Sequence, residues 1–236
     1  VKLSVLIPVY NEVHTLEEAV RRVRSVRFPK EIIVIDDGST DGSRELLKRL
    51  GTGENPGDNF PNEFKVVLQP ANQGKGAAIR AGLSHVTGDV VIVQDADLEY
   101  DPHDYLNLLD PILAGKADVV YGTRFYGGGP HRVLFFWHYL GNQILTLFSN
   151  ILTNLNLTDM EVGYKMFKTE ILKGINIKSN RFGFEPEITM KVAKKKCRVY
   201  EVPISYHGRT YAEGKKITWK DGIAAFYFLV RYWLKD

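Results

Sequence analysis

Two short apolar runs, Ser4–Val9 (SVLIPV) and Glu31–Ile35 (EIIVI), carry Val and Ile almost without polar alternation, which predicts strands buried on both faces of a parallel sheet. Between them Val13, Leu16, Val20 and Val23 recur at threes and fours, the apolar stripe of a helix, with Asn11 placed to cap its start. The pattern repeats as a helix over Asp41–Leu50, a strand over Phe64–Gln69, a helix over Gly76–Val86 and a strand over Val90–Gln94. Such a βαβαβαβ order predicts an α/β fold, a central mostly parallel sheet flanked by helices. Residues Gly51–Glu63 (GTGENPGDNFPNE) interrupt it and read as a polar surface loop.

Composition narrows the class. The 236 residues are 44% hydrophobic and 25% charged, as in an ordinary globular protein, and one domain over 1–236 is expected, its first half ending at residue 122 and its second beginning at 123. A formal net charge of +3, with no long basic run, is too mild to argue for nucleic acid. The single cysteine, Cys197, leaves no internal disulfide and no Cys-rich metal site, so a cytoplasmic setting is the default. No apolar run approaches the roughly 20 residues of a membrane span. Contact with a membrane is therefore expected to be peripheral, through a naturally peripheral form or one trimmed before a spanning segment.

The polar signals collect where strands end. Open α/β sheets bind ligands beyond the carboxyl ends of their strands, and there lie Tyr10, Asn11 and Glu12, then Asp36 and Asp37, then Asp95, Asp97 and Glu99. In an extended chain, side chains at i, i+2 and i+4 project to one side. Three carboxylates so placed repel one another unless a cation sits among them, and oxygen-only ligands suit Mg²⁺ or Mn²⁺. The competing reading, solvated loop acids, fits a lone DxD but not this gathering of acids on one sheet edge. Gly74 and Gly76 begin a dinucleotide-like pattern, yet Ile79 stands at its last glycine, and no GxxxxGK[ST] occurs. A dehydrogenase or a P-loop ATPase is thereby disfavoured.

The segments SVLIPVYNE, VIDDGSTDGS, NQGKGAAIRAG and QDADLEYDP resemble the inverting family 2 glycosyltransferases with the GT-A nucleotide-diphospho-sugar transferase fold. In the second half GTRFYGGG, LTDMEVGYKMF, RFGFEPEIT and EVPISYHGRTYAEGKKITWKDG look like its polyprenyl-phosphate branch, the dolichyl- and undecaprenyl-phosphate mannose and glucose synthases. The resemblance implies transfer of glucose or mannose from UDP-glucose or GDP-mannose to a polyprenyl phosphate at the cytoplasmic face of a membrane. It places Pro8, Tyr10, Glu12, Asp36, Asp37, Lys75, Asp95 and Ala96 around the nucleotide sugar, and Asp95, Asp97 and Glu99 at the metal. Glu99 stands where the mannose synthases often have Gln. Glu161 and Val162 stand where many relatives have small hydroxyl residues.

A lipid phosphate is already ionised near neutral pH, so such a reaction needs positioning and charge neutralisation more than a base. A hydroxyl acceptor would need one, and Asp159 is the candidate; it serves as base, as acceptor-orienting group or as turn cap. Asp97, Asp159, Arg124 and Arg209 are the catalytic candidates. Arg124, Arg132, Arg209 and Lys215 are the acceptor-phosphate candidates, with Lys165 and Lys216 in the same segments. Gly127–Pro130 reads as a hinge or as a plain turn. The six histidines, His14, His85, His103, His131, His138 and His207, show no ligand spacing. Val133–Leu140 and Ile223–Trp233, apolar and aromatic beside basic residues, suit interfacial helices, or else a core helix or dimer contact. Two other functions compete: a family 2 enzyme with a saccharide hydroxyl acceptor, against which stands the missing QxxRW motif, and a nucleotide-sugar-binding module without catalysis.

Overall fold

The computed structural model describes residues 1–52, 62–127, 132–133, 135–181, 183–210, 213–214 and 219–235. The first half follows the expected alternation: β1 (Leu3–Val9), α1 (Leu16–Ser25), β2 (Lys30–Asp36), α2 (Ser43–Thr52), β3 (Asn62–Leu68), α3 (Lys75–Leu83) and β4 (Val90–Val93). β1 pairs in parallel with β2 and with β4, and β2 with β3. Four consecutive β2 residues, Ile32 to Ile35, are fully buried, which only a strand covered on both faces allows.

Two local expectations are corrected. Asn11 does not cap α1, whose N-cap is Thr15. Asn11 instead takes a left-handed backbone, φ 53°, and its side-chain oxygen accepts from the Thr40 nitrogen at 2.9 Å, tying the end of β1 to the loop after β2. The Gly51–Glu63 loop is shorter than expected, since Gly51 and Thr52 finish α2 while Asn62 and Glu63 begin β3; residues 53–61 lie outside the described residues.

The second half extends the same sheet. After α4 (Tyr105–Leu113) come β5 (Val119–Thr123), α5 (Phe136–Thr153), β6 (Lys165–Lys168), α6 (Thr169–Lys173), α7 (Phe184–Lys194), β7 (Val199–Pro203) and α8 (Trp219–Lys235). The seven strands run in the order β3-β2-β1-β4-β6-β5-β7. β6 is antiparallel to both neighbours, and β7 pairs in parallel with β5. Reversal of β6 matters for the site: the loop entering it, not the loop leaving it, reaches the edge where the other strands end. A second apolar cluster of Leu145, Met160, Met190, Ala225, Leu229 and Tyr232 joins α5, α7 and α8 beside the main core.

Both long helices of this second layer expose apolar stripes. Ile223, Tyr227, Val230 and Leu234 on α8 recur at fours and threes, and Ile144, Leu147 and Ile151 do so on α5, with Trp137 76% exposed near its start. Among the described residues no helix is long and apolar enough to cross a membrane.

Candidate functional site

The carboxyl ends of the strands open into one cavity of about 1510 Å³. Pro8, Tyr10, Glu12, Asp37, Lys75, Asp95, Ala96, Asp97, Glu99, Arg124, Arg132 and Arg209 all line it. Asp36 does not. Its carboxylate is fully buried and held by Arg44 at 2.6 Å, which makes it a brace beneath the site rather than a wall of it. Asp37 does line the cavity but is engaged as well, accepting from the Gln73 and Gly74 nitrogens at 2.8 and 2.7 Å. That grip shapes the start of α3, where Gly74 has φ 102° and an added Cβ would collide with the Asn180 carbonyl, so only glycine fits.

The acidic trio is not the extended array its spacing suggested. After Gln94 the chain turns through Ala96 and Asp97, and Leu98 adopts φ 64°. Glu99 is thereby swung away: its Oε1 accepts from the Arg209 nitrogen at 2.9 Å and its Oε2 from the Tyr206 hydroxyl at 2.9 Å. Among the described residues no group of three or more His, Cys, Asp or Glu is arranged to hold a metal ion. Asp95 and Asp97 are left as a pair. Burial, then the charges of Asp95 and Glu99, push the Asp97 carboxyl up to about 7 against the opposing pull of Arg209. A carboxylate whose ionised form is disfavoured, as that of Asp97 is, gains from a dication, and Mg²⁺ is commonly held by one or two carboxylates plus substrate phosphates. Asp95 and Asp97 fit such an ion, whereas both oxygens of Glu99 are engaged, by Arg209 and by Tyr206.

Arg209 reaches Asp97 at 3.1 Å, Glu99 at 3.4 Å and Glu12 at 3.5 Å. It therefore ties together the acids that follow β1 and β4. Lys75 bridges Asp95 at 2.9 Å and Glu185 of α7 at 3.0 Å. Burial opposes its charge, but those two carboxylates outweigh burial and hold the ammonium well above its ordinary value.

Opposite stands Arg124. Its Nε and Nη2 donate to Asp159 Oδ2 and Oδ1 at 2.6 and 2.7 Å, a bidentate pair, and its guanidinium lies over the Tyr206 ring at 5.1 Å. Asp159 is fully buried, receives a further bond from Asn142 at 3.2 Å, and has its own nitrogen held by Glu201 at 3.2 Å. The geometry shows Asp159 in a position that none of its three expected roles named: it holds and orients Arg124. Arg132 donates to Glu213 at 2.9 Å and to the Gly208 carbonyl at 3.0 Å. Lys165 is buried in β6, bonded to the Val162 carbonyl, and away from the cavity wall. Lys215, Lys216, His131 and residues 128–130 of the hinge lie outside the described residues.

Four contributors escaped sequence reasoning: Glu185, which holds Lys75; Asn142 and Glu201, which hold Asp159; and Tyr206, which binds Glu99 and underlies Arg124. Glu185 sat inside a quoted motif, and its place at the first turn of a helix was the available signal. Beyond Arg124 the wall turns apolar, with Phe135, Trp137, Tyr139, Ile223 and Phe226.

Comparison with known proteins shows what the whole chain is similar to. The chain is 29% identical over 223 residues to the undecaprenyl-phosphate mannosyltransferase of Micrococcus luteus, covering 91% of this chain and 87% of the relative. It is 31% identical over 208 residues to the glycosyltransferase AglJ of Haloferax volcanii, covering 88% of this chain and 63% of the relative. Against the dolichol-phosphate mannosyltransferase of Pyrococcus furiosus the figures are 29% over 218 residues, 91% and 59%. The chain thus spans less than two thirds of the length of some of these relatives. Glucosyl-3-phosphoglycerate synthase from Mycobacterium tuberculosis, crystallised with Mn²⁺, UDP and phosphoglyceric acid, superposes with a TM-score of 0.73 at 18% identity, over 98% of this chain and 78% of that one, which establishes the shared GT-A fold. The profile of the family described as "Glycosyl transferase family 2" matches residues 4–175, and with that match over more than half its length the chain belongs to the family 2 glycosyltransferases.

Proposed function

We propose that this chain transfers glucose or mannose, with inversion, from a nucleoside-diphosphate sugar to a polyprenyl phosphate, in the presence of Mg²⁺ or Mn²⁺. The observation that carries the proposal is the Arg124–Asp159 pair. The carboxylate that could have served a hydroxyl acceptor as base is fully spent on holding a guanidinium at the cavity. Such a site suits an acceptor that arrives ionised and needs its charge met.

In this reaction the bond from the anomeric carbon to the diphosphate breaks, its electron pair leaving with the nucleotide. An oxygen of the acceptor phosphate forms the new bond from the opposite face. Asp95 and Asp97 would hold the cation, which supplies Lewis-acid neutralisation of the leaving diphosphate. Lys75 faces the same charge from α3, and Arg209 steadies Asp97. Arg124, aimed by Asp159, binds the acceptor phosphate, and the apolar wall of Phe135, Trp137 and Ile223 takes the first isoprene units. The exposed stripes of α5 and α8 continue that wall outward and suit peripheral contact with a lipid surface. Mannosyl transfer to lipid phosphates by the relatives and Mn²⁺ with UDP in the structural neighbour support this reading.

The test is a matrix of UDP-glucose and GDP-mannose against a short polyprenyl phosphate and a free sugar, with Mn²⁺, Mg²⁺ or a chelator. Product is expected only with the lipid phosphate and a divalent ion. Transfer confined to the free sugar would overturn the proposal.

A further inference from the structure

Glu161 has no part in the chemistry described so far. It lies in the turn entering β6, between Asp159, locked to Arg124, and Gly163, whose nitrogen donates to the Tyr100 hydroxyl at 2.9 Å. Both flanks are fixed, so the side chain is presented rather than loose. It lines the same cavity as Asp95, Lys75, Arg124 and Glu185. Its Oε1 is shielded from solvent and has no hydrogen-bond partner among the described residues. Nearby Lys165 does not supply one, since its ammonium turns to the Val162 carbonyl. Buried polar atoms are nearly always satisfied, and one left open on a cavity wall marks where a ligand brings the donor.

Chemistry narrows what that donor is. A phosphate of either substrate is anionic and would meet the carboxylates of Glu161 and Glu185, while the cations nearby are engaged, Lys75 by Asp95 and Glu185, Arg124 by Asp159 and Lys165 by the Val162 carbonyl. An isoprenoid chain has no donor at all. In a transfer between two phosphates the hexose lies between them, and its hydroxyls are donors. A carboxyl oxygen accepts from a hydroxyl whether or not the acid is ionised. Burial, then the charge of Glu185, push Glu161 up to about 7, and neither state removes the acceptor.

We propose that Glu161 reads a hydroxyl of the transferred hexose as a hydrogen-bond acceptor and so sets which sugar is accepted. This rests on the transfer reaction proposed above, and its test is separable from that one. Wild type, Glu161→Ala and Glu161→Gln are compared on the active donor and on its four analogues deoxygenated at carbon two, three, four or six. Wild type is expected to use one analogue roughly 10- to 100-fold less well in kcat/KM than the parent, as loss of a charge-assisted bond dictates. In Glu161→Ala that gap closes to within about threefold while the other three gaps persist, because only one pairing has been removed. Thermal melting of both variants checks the fold. Should the alanine variant fail to fold, Glu161→Gln keeps the question open, since a neutral amide oxygen narrows the same gap by at least about threefold. A gap that survives in full in the folded variants overturns the proposal. So does a loss shared equally by parent and all analogues, as removal of a base would give. Failure of the wild type on both nucleotide sugars would instead remove the transfer reaction beneath it.

Discussion

The two edges of one sheet treat the same side chain in opposite ways. At the amino ends of the strands Glu31 is fully buried, yet its carboxylate accepts from Ser4 Oγ at 2.5 Å, from Thr87 N and Oγ1 at 2.6 and 2.8 Å, and from Gly88 N at 3.0 Å. Burial alone would raise its pKa, but those donors outweigh burial and bring it down to about 2. Asp118, before β5 on the same edge, is likewise held low, by Arg198 first and then Lys168. At the carboxyl ends burial, then the charges of Asp95 and Glu99, push Asp97 up to about 7 although Arg209 pulls the other way. One edge surrounds its carboxylates with donors and gains stability; the other crowds acids together around shared cations, Lys75 and Arg209, at the wall of the cavity.

The sharpest test of that contrast is Asp97→Asn. Transfer should fall about 1000-fold, the scale seen when a key electrostatic contact to the leaving charge is removed. Unfolding free energy at pH 8 should hold or rise by up to about 1 kcal/mol, because a disfavoured charge has gone. Denaturant titration beside steady-state assays decides it, and a marked loss of stability would place Asp97 with Glu31. Next in size is Glu31→Gln, expected to cost about 3 kcal/mol of stability by leaving donors unmatched, with kcat/KM of the folded enzyme unchanged. Glu31 also sets a pH signature. Its folded pKa lies below its unfolded value, so its stabilisation is complete above about pH 4.5 and is lost as pH falls towards about 2. Acid unfolding of Glu31→Gln should show a shallower slope across that window, and an unchanged slope would show Glu31 contributes nothing there. The smallest effect is reserved for Glu99→Gln. If Arg209 and Tyr206 rather than a metal hold Glu99, the divalent concentration for half activity should move by less than about threefold, whereas Asp95→Asn should shift it by more than about tenfold.

The sequence made the first half readable because its information is local. Unbroken Val and Ile runs can only be strands covered on both faces, and the Val13–Val23 stripe has one periodicity. Errors arose where a residue bonds across the fold. Asn11 looks like a helix cap until the Thr40 amide, 29 positions away, claims it. Glu99 looks in line with Asp95 until the left-handed Leu98 turns it towards Arg209, 110 positions on. The motifs named Arg124 and Asp159 separately, but no spacing joins residues 35 apart into a bidentate pair. The resemblance named Lys75 as a nucleotide-sugar residue, whereas its contact with Glu185 depends on how α7 packs.

The reversed strand β6 has a consequence for biogenesis. Val91 of β4 pairs with Ser4 of β1 on one side and with Phe167 of β6 on the other, so synthesis must proceed well past the first half before that second flank is covered. Until then β4 offers bare amide and carbonyl groups to any neighbouring chain, the setting in which aggregation competes with folding. Cutting the gene near residue 122 would make that exposure permanent, so the nucleotide-side segment should need its missing strand, in trans or as a fused peptide, to stay monomeric.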